Sequence, residues 1–365
     1  MSTLADENID SPAMERFVQQ LLDMPMDSND ALQIHGLLIA RHGKLVLEEY
    51  FHGEHRDQPH MTRSAAKSVT ALLAGAVMQA GAPLKLSSPV YLVMNGGTFP
   101  TDLDPQKRNM TLEHLLTMSS GFFCDDGNDA APGNEETMWD QAAEPDFYRY
   151  TMKVPLATPP GENAVYCSAS PNLALGMVGR ATKEFPVYSF DRLIARPMKM
   201  GEYVWLLDPA GNPYGGGGTM FRPRDFMKFG QLVLNGGTWA GRRIVSREFV
   251  KAASTPQYHL ANIYYGYNWW MQEYPYKERT VRAVQALGAG GQILTVVPEL
   301  DLVVATYAGN YSGRVQIEFG QNYVARYVLP AVREAGDDRN AVVVEREYAS
   351  PYGRSKDGSR VTTQK

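Results

Sequence analysis

The sequence predicts a mixed fold of α-helices and β-strands, on three patterns along the chain. Near the N-terminus, the β-forming runs 34–40 and 45–51 flank the turn signal His42-Gly43 and indicate a hairpin. In the middle of the chain, apolar residues recur mainly at the three- and four-residue spacing of helices. Strand-forming residues dominate again near the C-terminus, in the runs 264–271, 293–297 and 302–307.

The helices are predicted from this spacing and from residues that begin or end helices. The first covers residues 11–24, and the longest begins beside Ser64 and ends before Gly81. A short capped helix is predicted over 111–121. The remaining helices are predicted directly after Ser168, over 223–234 and over 316–332.

Two segments lack a regular pattern. Residues 122–160 are acidic and aromatic and have the composition of a loop region, and such loops often shape substrate pockets. The acidic and aromatic segment 122–139, which includes Asp125 and Asp126, leads to the hypothesis of a shaped pocket that tolerates cationic substrates. The tail after residue 348 has the composition of a flexible segment.

The composition narrows the class of protein. A chain of 365 residues with 44% hydrophobic and 21% charged residues can bury a full core. A formal net charge of −5, without a lysine and arginine cluster, argues against a nucleic-acid partner. No apolar run approaches the length of a membrane span, and the acidic N-terminus lacks a signal sequence. Two cysteines, Cys124 and Cys167, do not amount to a disulfide framework, so a cytoplasmic protein is expected.

Three histidines follow the second predicted strand. His52, His55 and His60 lack both the spacing of a metal motif and acidic companions, so a polar loop is the expected role. The sequence predicts neither a metal site nor a cofactor.

Ser64 and Lys67 are the first pair with chemical potential. They lie three residues apart at the start of the longest helix, so both side chains project from one face. A serine hydroxyl needs a neighbouring base to become a nucleophile, and a lysine whose ammonium form is disfavoured can act as that base. The helix N-terminus adds backbone N–H groups suited to a developing oxyanion.

Tyr166 and a glycine-rich segment supply the remaining candidates. A tyrosine beside a lysine can carry a proton between a nucleophile and a leaving group, although most buried tyrosines only pack. The glycines of residues 286–292 allow the backbone to approach a ligand closely, and a tight turn is the simpler alternative.

Together these motifs resemble those of the penicillin-binding, serine β-lactamase-like hydrolases. Ser64 and Lys67 match the S-x-x-K motif, and the segment from Tyr166 to Ser168 matches the Y-x-S/N motif. Framework segments match in the same order, at 115–121, 225–230 and 265–270. The resemblance runs from about residue 34 to residue 329 and is closest to class C β-lactamases, β-lactamase-like esterases and 6-aminohexanoate-oligomer hydrolases.

The resemblance implies a role for each matching side chain. Ser64 would attack a carbonyl carbon and form an acyl-enzyme, while Lys67 and Tyr166 move the protons. Ser168 would hydrogen-bond within the same network. Which of Lys67 and Tyr166 deprotonates Ser64 stays open.

The third motif, K-T-G or H-x-G, begins at Ala286 and ends at Gly288, so its cationic first residue is absent. In β-lactamases that residue helps to hold the substrate carboxylate, and its absence argues against a β-lactam substrate. The backbone N–H groups of Ser64 and Ala289 would form the oxyanion hole, and Gly288 and Gly290 would support the substrate.

The resemblance also implies the fold, a β-lactamase/transpeptidase-like α/β region in which helices flank an antiparallel sheet, plus a mainly helical inserted region. The implied divisions are 1–58 and 223–347 for the α/β region, 59–222 for the helical region and 348–365 for the tail. Ser64, Lys67 and Tyr166 all fall within the helical division.

The sequence therefore predicts a serine hydrolase that cleaves a small-molecule ester or an unstrained amide. An ester is favoured because an alkoxide leaving group needs less protonation than an amine. One alternative is an acyltransferase that uses the same acyl-enzyme. A silent binding protein is a second, against which the joint presence of Ser64, Lys67 and Tyr166 argues, and a metallohydrolase is the weakest. The physiological substrate and the oligomeric state stay open.

Overall fold

The computed structural model describes residues 2–25, 27–28, 31–260, 262–311, 322–338, 341–343 and 358–360. The chain forms two compact units, and each is assembled from separate stretches of sequence. The first unit takes in Met1–Ala65, Met220–Leu234 and Gln272–Gly353. The second unit takes in Ala66–Thr219, Asn235–Met271 and Arg354–Lys365.

Helices and strands alternate irregularly along the chain. The strands are β1 (Ile34–Arg41), β2 (Lys44–Tyr50), β3 (His60–Met61), β4 (Tyr203–Trp205), β5 (Thr219–Phe221), β6 (Thr238–Trp239), β7 (Arg242–Arg243), β8 (Tyr258–Leu260), β9 (Ile263–Tyr265), β10 (Trp270–Tyr276), β11 (Arg279–Gly288), β12 (Gln292–Val297) and β13 (Leu302–Ala308). The helices are α1 (Ser11–Leu22), α2 (Ala66–Gln79), α3 (Val90–Met94), α4 (Leu112–Leu116), α5 (Glu135–Asp140), α6 (Phe147–Lys153), α7 (Ala169–Thr182), α8 (Pro186–Phe190), α9 (Pro223–Leu234), α10 (Arg247–Ala253) and α11 (Leu329–Ala331). Short 3₁₀ or π turns cover Arg63–Ala65, Pro105–Asn109, Asp191–Ala195, Pro298–Leu300 and Val324–Val328.

The predicted N-terminal hairpin is present as β1 and β2. Its turn residues His42 and Gly43 have φ angles of +50° and +72°, the two left-handed residues that a tight hairpin turn requires. β1 then pairs antiparallel with β13, which comes from the other end of the chain.

The sheet of the first unit runs in the order β2-β1-β13-β12-β11-β10. Because side chains alternate across a strand, neighbouring residues of β13 face opposite layers. Val304 belongs to the buried cluster that also holds Phe17 of α1 and Val328, whereas Val303 lies against Gly230 of α9. Helices therefore cover both faces of this sheet, as the fold prediction requires.

The second unit is mainly helical and is centred on α2 and α7. Each of these helices is buried on nearly all sides, from Ala66 to Val77 in α2 and from Ala169 to Val178 in α7. A helix that is buried all round lies in the interior of its unit. α7 packs against α2, α3, α4 and α6, while β8 and β9 form a hairpin that pairs with the first residues of β10.

Some predicted elements differ from the observed ones. The predicted loop region 122–160 contains α5 and α6, and the predicted strand 264–271 is divided between β9 and β10. The glycine-rich segment 286–292 is the junction of two strands, because β11 continues to Gly288 and β12 begins at Gln292. Part of the predicted helix 316–332, and most of the predicted tail, lie outside the described residues.

The prediction about the cysteines is wrong. Cys124 and Cys167 form a disulfide across 43 positions of sequence, with their Cα atoms 5.5 Å apart. Cysteine spacing alone cannot indicate that two distant segments meet. Since disulfides are typical of oxidising compartments, the cytoplasmic location stays a prediction without support from the cysteines. Among the described helices, none is both long enough and apolar enough to span a lipid bilayer.

Candidate active site

Ser64 lies in a 3₁₀ turn that continues directly into α2. The turn comprises Arg63–Ala65, and the Ser64 side chain is half-buried. Arg63 has a φ angle of +49°, a left-handed conformation that is uncommon for residues other than glycine. Its guanidinium lies 4.8 Å from the centre of the Tyr311 ring. Such backbone strain is found preferentially at functional sites.

The end of β11 lies against this turn, within the first unit. A Cβ atom on Gly288 would come within 2.2 Å of the Thr62 carbonyl oxygen and 3.2 Å of the Ala65 nitrogen. Only glycine therefore allows the strand to approach the Ser64 turn so closely. Ala289 follows as a half-buried turn residue, and Gly290 forms a β-bridge with Asn310. The structure thus brings the segment of Gly288, Ala289 and Gly290 next to the turn that carries Ser64.

Lys67 lies in the first turn of α2 and is 1% exposed. Its ammonium group donates a 2.5 Å hydrogen bond to the Gly216 carbonyl oxygen and lies 4.9 Å from the centre of the Tyr166 ring. A buried ammonium is costly unless partners compensate for lost water. The structure therefore brings Lys67 and Tyr166 together, as predicted, and adds Gly216 as a partner.

The four consecutive glycines at 215–218 include Gly216, whose carbonyl oxygen accepts the hydrogen bond from Lys67. A Cβ atom on Gly216 would lie 2.5 Å from the Ser168 carbonyl oxygen and 2.6 Å from the Tyr214 hydroxyl. The absence of a side chain lets the Gly216 carbonyl reach the Lys67 ammonium. The sequence analysis did not identify this role, and the only available signal was the run of four glycines.

Asn268 fixes the start of α2 from the other side. Its side-chain amide donates to the Lys67 carbonyl oxygen at 3.1 Å, and its own carbonyl accepts from the Ser68 hydroxyl at 2.5 Å. Trp270, two residues further on, stacks on Tyr166 with ring centres 5.6 Å apart. The matching framework segment 265–270 therefore holds both Lys67 and Tyr166 in place.

Ser168 contacts two carboxylates, Asp126 of the hypothesised substrate pocket and Glu135, and the sequence alone predicted neither contact. Its backbone N–H and its hydroxyl donate to Asp126 at 2.8 Å and 2.6 Å, and the same hydroxyl lies 3.3 Å from Glu135. The Glu135 carboxylate also accepts a 2.5 Å hydrogen bond from the Tyr214 hydroxyl. The hypothesis of a cation-tolerant pocket stays a prediction; within it, the Asp126 carboxylate is engaged by Ser168.

Burial raises the pKa of Asp126 to about 6, although the nearby Lys67 charge acts in the opposite direction. The negative charge of Glu135 adds to the rise, and the hydrogen bonds from Ser168 oppose it. Asp126 is therefore a carboxyl group that titrates close to neutral pH beside Lys67.

One histidine of the predicted polar loop, His60, lies in the short strand β3. Its Nε2 atom lies 2.8 Å from Nδ1 of His35, a residue of β1, and the same His35 atom lies 3.9 Å from Glu54. Two nitrogens bound to one tetrahedral zinc ion would lie about 3.3 Å apart. The shorter separation fits a direct hydrogen bond between the two rings.

Ala286 occupies the first position of the third family motif, where the related enzymes have a cationic residue, and its side chain is buried. Ala286 is 1% exposed and lies within β11, two residues before Gly288. Alanine offers no charge to a substrate carboxylate at this position.

The chain belongs to the β-lactamase family, whose sequence model matches residues 14–316. Comparison with curated protein sequences gave no significant match. The family assignment covers every residue of the predicted site.

Solved structures from several organisms have the same fold as this chain. A protein of Bacillus anthracis described as a candidate 6-aminohexanoate-dimer hydrolase superposes with a TM-score of 0.66 at 21% identity, over 83% of this chain and 79% of its own. A candidate β-lactamase of Bacteroides dorei gives 0.65 at 17% identity, over 82% and 91%. The octameric penicillin-binding protein homologue of Pyrococcus abyssi gives 0.60 at 18% identity, over 87% and 76%. The β-lactamase/transpeptidase-like fold is thereby confirmed, and family membership supports a hydrolase in general terms.

Proposed function

We propose that this protein is a serine hydrolase that cleaves a small-molecule ester through an acyl-enzyme on Ser64. The supporting observation is the continuous helical segment that carries Ser64 in its first turn and the buried Lys67 three residues later. The Lys67 ammonium lies 4.9 Å from the centre of the Tyr166 ring. The two residues proposed to transfer protons are therefore close to each other, as the family motifs require.

In this reaction Ser64 Oγ attacks the carbonyl carbon, and its proton passes to Lys67 or to Tyr166. The oxyanion accepts hydrogen bonds from the backbone N–H groups of Ser64 and Ala289. One such donor typically stabilises a transition state by about 3 kcal/mol. Protonation of the alkoxide releases the alcohol, and attack by water frees the acid and regenerates Ser64.

The position of Ala286 bears on the substrate class. Since a buried alanine cannot pair with the carboxylate of a β-lactam, we expect neutral esters to be better substrates than cephalosporins. A linear amide is the second candidate, because the Bacillus anthracis neighbour is described as a hydrolase of 6-aminohexanoate dimer. Amide cleavage needs more effective protonation of the leaving group, so we expect it to be slower.

A matched substrate series tests this proposal. Initial rates are measured with p-nitrophenyl butyrate, butyryl p-nitroanilide and a chromogenic cephalosporin, for the native protein and for Ser64→Ala. We expect the order ester, anilide, cephalosporin, and loss of all three activities in the variant. A cephalosporin rate above the ester rate would contradict the substrate class, and turnover by Ser64→Ala would contradict the mechanism.

A further inference from the structure

Asp126 holds both ends of the segment that carries Tyr166. Its carboxylate accepts from the backbone N–H and the hydroxyl of Ser168, and its own backbone N–H donates to the Tyr166 carbonyl oxygen at 3.0 Å. The disulfide between Cys124 and Cys167 joins the same two segments one or two positions away. Main chain, side chain and a covalent bond therefore fix Asp126 against Tyr166 and Ser168.

A second carboxylate shares the Ser168 hydroxyl. Glu135 lies 3.3 Å from this hydroxyl, and its backbone N–H donates to Asp126 at 3.2 Å. A hydroxyl has one proton, so it cannot donate a full hydrogen bond to both carboxylates at once. The shorter 2.6 Å distance indicates that the proton lies between Ser168 and Asp126, so Glu135 places a second negative charge next to Asp126.

Lys67 is a positive charge that acts on Asp126. Burial disfavours the Asp126 carboxylate and raises its pKa, whereas attraction to the Lys67 ammonium lowers that pKa. The groups that face Asp126 are Lys67 from α2, Glu135 from α5, Tyr214 beside Glu135 and the Tyr166 to Ser168 segment. Of these, Lys67 and Tyr166 are the proposed proton-transfer groups.

On these contacts we propose that Asp126 is a positioning residue of the reaction, which orients Tyr166 through Ser168. Its negative charge keeps Lys67 as the ammonium ion, and that ammonium favours the phenolate form of Tyr166, so loss of the Asp126 charge slows the reaction. This inference rests on the proposed serine hydrolase function. Asp126 does not touch the substrate. It acts only on groups that do.

A pH profile separates this role from a merely structural one. In the native protein we expect kcat/KM for p-nitrophenyl butyrate to fall below about pH 6, where Asp126 becomes protonated and its charge is lost. Asp126→Asn has no such charge at any pH. We expect kcat/KM at pH 8 to fall at least tenfold in this variant, mainly through kcat, and the acidic limb to disappear. A purely structural role would lower the rate equally at every pH and would leave the limb in place.

Asp129→Asn is the matched control. It removes the same charge from an exposed residue three positions further along the same acidic segment. We expect its pH profile to match that of the native protein. Asp126→Glu, which keeps the charge, should retain an acidic limb, and it gives the answer if Asp126→Asn does not fold by circular dichroism.

The possible results distinguish failure of the proposed Asp126 role from failure of the proposed serine hydrolase function. If the native protein hydrolyses the ester and Ser64→Ala does not, while Asp126→Asn keeps the native rate and acidic limb, the inference is overturned and the function stands. The same holds if Asp126→Glu is the only folded variant and lacks the limb. If the native protein does not hydrolyse the ester through Ser64, both are overturned.

Discussion

At the scale of single residues, one carbon atom added at Gly288 should disturb the Ser64 turn directly. In Gly288→Ala the new Cβ would lie 2.2 Å from the Thr62 carbonyl oxygen, a backbone atom that cannot move without the Ser64 turn. We expect overpacking to lower the free energy of unfolding by about 1–3 kcal/mol and the displaced turn to lower kcat at least tenfold. Urea unfolding and ester hydrolysis measure the two effects.

Gly36→Ala is the control for this substitution. Gly36 also lies in a strand of the first unit, but a Cβ there would meet the Tyr50 side chain at 3.4 Å and the Glu49 carbonyl oxygen at 3.7 Å, both ordinary contact distances. A native-like Gly288→Ala would mean that β11 does not hold the Ser64 turn as described.

Asp126 should make the stability of the fold depend on pH. Its folded pKa of about 6 lies above the ordinary value of 3.8, so the folded state binds the proton more tightly than the unfolded state. The resulting stabilisation is complete below about pH 4 and is lost as the pH rises through 6. We expect the native protein to lose about 2 kcal/mol relative to Asp126→Asn between pH 4 and pH 7.

Urea unfolding of both proteins at several pH values measures this difference. If the stability of the native protein relative to Asp126→Asn stays constant or rises between pH 4 and pH 7, the pKa of Asp126 is not raised in the folded state.

The site residues divide into those that a motif reveals and those that only the fold assembles. Ser64, Lys67 and Tyr166 carry recognisable motifs, and their roles stay predictions until tested. Asp126 and Glu135 have no motif, because their contacts to Ser168 span 42 and 33 positions of sequence. Their acidic segment resembled an exposed loop, and nothing local in it indicates partial burial.

At the scale of elements, the disulfide should stabilise the second unit. The bond joins residues 43 positions apart and so lowers the conformational entropy of the unfolded chain. This raises the free energy of unfolding by about 4 kcal/mol. We expect reductant to lower the midpoint of thermal unfolding of the native protein. Cys124→Ser/Cys167→Ser should unfold at that lower temperature and be insensitive to reductant. Equal midpoints for the native protein with and without reductant would mean that the bond contributes nothing.

Long periodic elements were predictable and most short ones were not; the five-residue α4 was predicted because Thr111 caps it. α1, α2, α9 and the β1–β2 hairpin each follow a clear apolar pattern, and all are observed. Helices α5, α6 and α8 have only five to seven residues, too few to show a helical repeat. β11 was missed because Arg279, Arg282 and Gly288 weaken its strand pattern, and its pairing with β12 depends on tertiary structure.

At the scale of the whole molecule, each unit is built from pieces that are far apart in sequence. β1 pairs with β13, and Ile34 faces Ala308 across the ladder. Local propensity cannot predict such pairings. The order of several family motifs did predict the fold, because those motifs occur together in one known architecture.

The proposed reaction uses only side chains and backbone groups, so it should not depend on a dissociable metal. We expect ester hydrolysis to proceed at an unchanged rate after dialysis against EDTA and 1,10-phenanthroline. A loss of activity that zinc restores would instead favour the metallohydrolase alternative.

The central claim is that Ser64 becomes acylated, and intact-protein mass spectrometry tests it most directly. The native protein is mixed with p-nitrophenyl butyrate and quenched in acid within seconds, beside Ser64→Ala and the exposed-serine control Ser87→Ala. We predict one butyryl group on the native protein and on Ser87→Ala, located by peptide mapping to Ser64, and none on Ser64→Ala. An adduct that persists in Ser64→Ala, or ester turnover without any dependence on Ser64, would contradict the account.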